Sequence, residues 1–129
     1  MEKTVTMQQV LDFKEAAASF KEKALPLQGA YKLMKISNAL DKDTDFYGEK
    51  FQEILNTYGE KDEEGNFKFT DDGTQIIIKD GKVDECNKAL EGLLEMEITI
   101  DNLNFEIANL GENLECTPEE LEGLIPFLN

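Results

Sequence analysis

The sequence predicts an α+β fold, mainly helical, with two long N-terminal helices, a small β-hairpin insertion and short additional strands. Three observations lead to it. Apolar residues recur at spacings of three and four through most of residues 6–58, and again over 82–95. A polar, turn-rich stretch with short β-branched runs separates those two helical regions. After Glu95 the apolar period drops to two.

The first helix opens at Thr6, whose partner three positions on is Gln9, a capping-box pair. Val10, Phe13, Ala17, Phe20 and Ala24 give it one apolar stripe. It is expected to stop near Lys23, because Leu25 precedes Pro26 and is pushed toward extended geometry. A second helical stretch runs from about Pro26 to Tyr58, with Leu33, Ile36, Leu40, Tyr47, Phe51, Ile54, Leu55 and Tyr58 on the core side. Its weak point is residues 41–45, where Asp41, Asp43 and Asp45 interrupt the stripe. Either the helix continues with this patch exposed, or it breaks and a new helix is capped by Asp43, Thr44 or Asp45. A long helix with a weak or kinked middle is the favoured reading, ended by Gly59.

Phe67-Lys68-Phe69 and Gln75-Ile76-Ile77-Ile78-Lys79 flank an Asp-Gly turn and read as a hairpin, closed off by Asp80-Gly81. A lone hairpin is marginal, so it is expected to lean on the helices. Val83, Cys86, Leu90, Leu93 and Leu94 then define an inward face of a helix over about 82–95. Met96, Ile98 and Ile100 alternate with polar residues, as do Leu103, Phe105 and Ile107, and both runs read as half-buried strands. Thr117-Pro118-Glu119-Glu120 supplies an N-cap, a first-turn proline and a capping-box Glu for a short last helix. With no linker and no internal repeat, the 129 residues are read as a single domain, 1–129.

Composition narrows the chemistry. The chain has no His, no Trp and no Arg, and all 13 basic residues are Lys. It therefore lacks the side chain that titrates near neutrality and the guanidinium fork that grips phosphate at two points. Ser–His and Cys–His pairings are impossible, so the expectation is that the protein is not an enzyme. No cofactor is expected: the glycines form neither a dinucleotide fingerprint nor a phosphate loop. Cys86 and Cys116 form no CxxC pair; two reduced thiols, with Cys86 on a helix face, are favoured over a disulfide between them. Neither a signal-peptide run at Met1-Glu2-Lys3-Thr4 nor an 18-residue apolar stretch is seen, which points to the cytoplasm of the cell that makes the protein.

The net charge is −15, and it is uneven: residues 1–60 hold eight Lys and ten acids, residues 61–129 five Lys and eighteen acids. The excess of acid in the second part argues against nucleic acid or an anionic membrane as a direct partner. It serves solubility, or it makes an acidic face for a basic protein partner. Asp62, Glu63, Glu64, Asp71 and Asp72 are the candidate acidic surface, although turn chemistry alone also explains them. Phe46 lies about 100° around a helix from Tyr47 and is the candidate interface aromatic. Asp41, Asp43 and Asp45 alternate as in a calcium loop, but Phe46 stands where a glycine is needed and Gln52 where a bidentate Glu is needed, so no metal site is assigned. Lys14, Lys21, Lys32 and Lys35, against the acidic second half, also make head-to-tail self-association conceivable.

The order of features resembles small acidic proteins of tailed phages and prophages of Gram-positive and other low-GC bacteria. The resemblance rests on Tyr58-Gly59-Glu60-Lys61-Asp62-Glu63-Glu64-Gly65-Asn66 followed by Glu95-Met96-Glu97-Ile98, and it covers roughly residues 25–100. Those proteins often carry Arg in the early basic region, where this chain has only Lys. The resemblance implies a structural or assembly-associated role through protein contacts, in the bacterial host cytoplasm or on the virion. The charge leaves a second expectation open: an acidic inhibitor that imitates nucleic acid on a host defence complex.

Overall fold

The structure is a computed structural model and describes residues 2–101, 104–112 and 114–128. It is an α+β protein dominated by helices, and it packs as two compact units. Residues 2–45 with 96–128 form one; Phe46–Glu95 forms the other.

The first unit begins with a strand the sequence pattern did not reveal. Glu2–Thr6 (β1) pairs antiparallel with Glu97–Asp101 (β2), in a register that sets Val5 opposite Ile98 and Lys3 opposite Ile100. Val5 and Ile98 are buried, so one face of this two-stranded sheet closes on the core. The expected alternation from Met96 is therefore a strand. Of the run expected at Leu103, Phe105 and Ile107, the described part, residues 104–110, holds no strand. Leu103 lies outside the described residues, Phe105 is buried, and Ile107–Leu110 winds into a 3-10 turn. Glu106 and Asn109 bond each other's backbone across that turn, and Gly111 leaves it at φ 91°. This local capping outcompetes a third strand.

Helix α1 (Met7–Phe20) starts at the expected Thr6–Gln9 capping box, with both bonds made. Its Val10, Phe13, Ala17 and Phe20 are buried as the stripe predicts; Ala24, beyond the helix end, is exposed. Helix α5 (Pro118–Leu124) starts at the expected Thr117–Glu120 box. The two helices meet where Gly123 faces Ala16: a β-carbon at Gly123 would stand 2.7 Å from that of Ala16 and 2.8 Å from the Asp12 carbonyl oxygen. Phe127, in a 3-10 turn over Ile125–Phe127, lays its ring 4.4 Å from that of Phe13, and both are fully buried. The Lys3 ammonium donates to the Leu128 carbonyl, fixing the end of this segment beside β1.

The stretch read as one long helix over 26–58 is two helices, α2 (Leu27–Ala39) and α3 (Asp41–Tyr58), joined at Leu40. Leu40 is fully buried, and its N–H still bonds the carbonyls of Ile36 and Ser37. The break falls at Leu40, three residues before the first of the expected caps, Asp43. The Lys14 ammonium of α1 donates to the Ser37 carbonyl at 2.6 Å and pairs with Asp41, so it satisfies the carbonyl end of α2 and the acid that opens α3.

In the second unit, the rest of α3 presents Tyr47, Phe51, Ile54, Leu55 and Tyr58 only half-buried, a correction to their expected core role. Tyr47 and Phe51 stack at 5.7 Å between ring centroids. The helix ends at Gly59 as expected. The expected hairpin is reduced to isolated bridges: Phe69 pairs with Ile76, Lys61 with Phe67 and Gly59 with Ile78. Three short extended segments thus bond in a cycle, Glu60 N–H to Ile77, Ile77 N–H to Lys68, and Lys68 N–H to Glu60, each at 2.8–2.9 Å. Helix α4 (Val83–Leu94) follows; Cys86 and Leu93 are buried, but Val83, expected inward, is exposed. Cys86 is a buried and Cys116 an exposed free thiol.

Candidate functional site

Helix α2 is held on one side only. Its first turn has no side-chain cap and starts after Pro26, whose fixed φ favours entry to a helix. Gly29, Leu33, Ile36 and Ser37 face inward and are buried. Gly29 lies against the backbone of Asn109, and Ser37 is tied to Lys14. On the outer side Leu27 is 85% exposed, Tyr31 54% and Met34 47%. These three sit at i, i+4 and i+7, within roughly 60° of arc on an ideal helix and spanning about 10 Å along its axis. Together they form an apolar ridge along the outer face of the helix.

Beside the ridge, a groove of about 560 Å³ runs between α2 and the end of β2. Its floor includes Ile36, Ala39 and Ile100; Lys32 and Lys35 stand along the α2 side, with Asp101 and Asn104 opposite. Lys32 reaches Asn109 Oδ1 only at 3.5 Å, and among the described residues neither lysine forms an ion pair. Asn104 has φ 33°, a left-handed conformation that Asn tolerates better than most residues. The eighteen residues from Lys23 to Leu40 contain three Lys and no acid, whereas residues 89–129 contain ten acids and no Lys. The α2 face is therefore a cationic, partly apolar island on a strongly anionic chain.

A second groove, of about 480 Å³, lies between α1 and α5 and has the opposite character. Asp12, Glu15, Glu119 and Glu122 line it, around Ser19 and Glu120. The Ser19 hydroxyl donates to Glu120, the Thr117 N–H bonds it at 2.9 Å, and Lys23 lies 3.4 Å away. Those contacts, the hydroxyl first, hold the Glu120 carboxyl down at about 2. It is a fixed anion there, unsuited to proton transfer near neutrality.

The sequence-derived candidates lie in the second unit. Asp62, Glu63 and Glu64 are exposed at the corner between Lys61 and Phe67, and Asp71 and Asp72 at the corner between Phe69 and Ile76. Both corners are built by their own acids. Asp62 accepts the N–H groups of Glu64 and Asn66 at 2.9 and 3.0 Å, and Asp72 accepts from the Thr70 hydroxyl and from Thr74. The Thr70 hydroxyl, with the Thr74 N–H next, lowers the Asp72 carboxyl below its ordinary value. Phe46 is 39% exposed, with the Lys50 ammonium 5.6 Å from its ring centre, so part of its face is already covered. Asp41, Asp43 and Asp45 fall in the first two turns of α3, where alternate residues diverge around the axis and cannot wrap one cation. Among the described residues no group of three or more acids or cysteines is placed to hold a metal ion. Among the described residues no helix is long and apolar enough to cross a membrane.

Sequence reasoning found the acidic turns but missed the α2 ridge. The signals were present: a second stripe at 27, 31 and 34 offset from the one at 33, 36 and 40, inside the longest acid-free run of the chain. Comparison with family models, with curated proteins and with solved structures gives no match.

Proposed function

We propose that this protein acts by binding another protein through the outer face of α2 and catalyses no reaction, serving as a structural or assembly-associated component of a phage-type system. The observation that carries the reading is the exposed ridge of Leu27, Tyr31 and Met34. Covering Leu27 would gain roughly 1.5–3 kcal/mol, and covering Tyr31 and Met34, which are about half exposed, roughly half as much each, a gain available to a docking partner. The sequence resemblance over residues 25–100 supplies the phage-type setting.

A second reading has its own support. Five carboxylates, Asp62, Glu63, Glu64, Asp71 and Asp72, are exposed at two corners of the second unit. The backbone bonds that build those corners hold the Asp62 and Asp72 carboxylates in place. Such a face suits the basic groove of a nucleic-acid-binding host defence protein.

Photo-crosslinking in the cells that produce the protein separates the two. A photoreactive phenylalanine analogue replaces Tyr31 in one variant and Glu63 in another, and crosslinked products are identified by mass spectrometry. Crosslinks from position 31 to a virion or assembly component support the first reading. Crosslinks only from position 63, to a nucleic-acid-binding protein and lost at high salt, support the second. Protein crosslinks from neither position overturn both.

A further inference from the structure

We infer that the groove between α2 and the end of β2 receives an acidic amphipathic helix of the partner, with its carboxylates on one edge only. This rests on the protein-binding reading of α2 and adds the chemistry of what binds. Three features define the occupant. The ridge of Leu27, Tyr31 and Met34 spans about two helical turns, the length over which a second helix sets its own i, i+3, i+4 side chains between such residues. The adjoining groove, at about 560 Å³, has an apolar floor of Ile36, Ala39 and Ile100, which takes one or two large side chains from that helix. The rim is asymmetric: Lys32 and Lys35 stand on the α2 side, Asp101 and Asn104 on the other.

Charge selects the class of helix. The lining of the groove itself carries two ammonium groups, Lys32 and Lys35, against one carboxylate, Asp101, and so is locally cationic. An acidic edge beside Lys32 and Lys35 forms pairs that the free protein does not make within its described residues. A basic helix would instead set like charges together along α2. The same carboxylates placed toward Asp101 would be repelled, so the docked helix has one direction and one acidic edge. A second copy of this chain is disfavoured, because it would bring another net charge of −15 to the contact.

The test uses the full chain as bait for messenger-RNA display of random 16-residue peptides. The expected result is enrichment of peptides with an apolar i, i+3, i+4 stripe flanked on one side by Asp or Glu. Fluorescence anisotropy with the best labelled peptide should show binding weakened at least tenfold by Tyr31→Ala and by Lys32→Glu/Lys35→Glu. A peptide with Lys in place of its acids should restore binding to the doubly substituted chain but not to the native one. Tyr31 and Lys35 are exposed and Lys32 is half-buried at the groove; circular dichroism checks that each variant is folded. Enriched peptides without an acidic edge, or binding unmoved by Lys32→Glu/Lys35→Glu, overturn the inference. If such binding is still lost with Tyr31→Ala, the protein-binding reading stands while the acidic occupant falls. No enrichment at all also overturns the inference, and leaves the crosslinking at position 31 to decide the broader reading.

Discussion

Gly29 of α2 and Asn109 of the 3-10 turn meet backbone against backbone: a β-carbon at Gly29 would stand 2.9 Å from the Asn109 carbonyl carbon. Asn109 is fixed in turn, its N–H bonded to the Glu106 carbonyl at 2.9 Å and its side chain to the Glu106 N–H at 2.8 Å. The contact is what seats α2 at its first turn, and hence what aims Leu27, Tyr31 and Met34 outward.

Gly29→Ala is therefore expected to destabilise the protein, although alanine is the better helix former. The added methyl meets backbone, which cannot swing aside, and overpacking of this kind costs about 1–3 kcal/mol. Gly48 in α3 is the matched control, since nothing lies within 4 Å of a β-carbon there. Gly48→Ala should stabilise by about 0.5–1 kcal/mol through helix propensity alone. Urea denaturation followed by far-ultraviolet circular dichroism reads both. Equal and favourable effects at the two positions would refute the Gly29 contact.

The ring of Phe127 completes the core of the first unit from the far end of the chain, 4.4 Å from Phe13. Both side chains are fully buried, and the tilted arrangement adds to their area term. Phe127→Ala should cost about 3–5 kcal/mol, as large as the loss of any central residue. Ile125→Ala, two positions earlier but exposed, should cost less than about 1 kcal/mol. Denaturation midpoints that fall equally for the two variants would show that the C-terminal turn does not belong to the core.

The parts of this fold that could be read from sequence are those built by neighbours. Thr6 with Gln9 and Thr117 with Glu120 are complete within four residues, so both helix starts are legible, as are the turns at Asp62 and Asp72. The antiparallel partner of Glu2–Thr6 lies about ninety to a hundred positions away, and its own alternation is too short to be noticed alone. Residues 41–45 signalled a break, but not its place, because Lys14 from another helix decides it. The α2 ridge was hidden for a different reason. Periodicity reports which apolar residues share a face; it does not report whether that face is covered, so Tyr31 and Leu33 look alike until α1 and the 3-10 turn take up the Leu33 side.

Lys14 is the link that turns the chain from α2 into α3. Its ammonium lies 2.6 Å from the Ser37 carbonyl and 3.3 Å from the Ser37 hydroxyl, and it pairs with Asp41. Ser37 is buried, so losing the ammonium removes the partner of its hydroxyl and leaves its carbonyl with the longer bond from the Leu40 N–H alone. Lys14→Met keeps much of the apolar stem and should still cost roughly 1–2 kcal/mol, with Asp41→Asn costing less because Asp41 is largely exposed. Amide hydrogen exchange should quicken at Leu40 and Thr44 in Lys14→Met, and unchanged exchange there would argue that Leu40 alone sets the break.

Glu120 makes the stability of the first unit depend on pH in a defined direction. Its carboxyl falls from an ordinary 4.5 to about 2 on folding, through the Ser19 hydroxyl first and then the Thr117 N–H, with Lys23 adding to both. A carboxyl whose pKa drops on folding favours the folded state when it is ionised, because the folded chain holds the anion better than the unfolded chain does. That contribution is complete above about 4.5 and disappears as pH falls from there through about 2. Denaturation midpoints measured across this range should therefore decline less steeply for Glu120→Gln than for the native chain. Ser19→Ala should lie between them, because Thr117 and Lys23 still hold the anion. The carboxyl resonance of Glu120 should titrate visibly higher in Ser19→Ala than in the native protein. If the native and Glu120→Gln chains lose stability in parallel from pH 4.5 downward, the Ser19–Glu120 bond joins α1 to α5 in geometry alone.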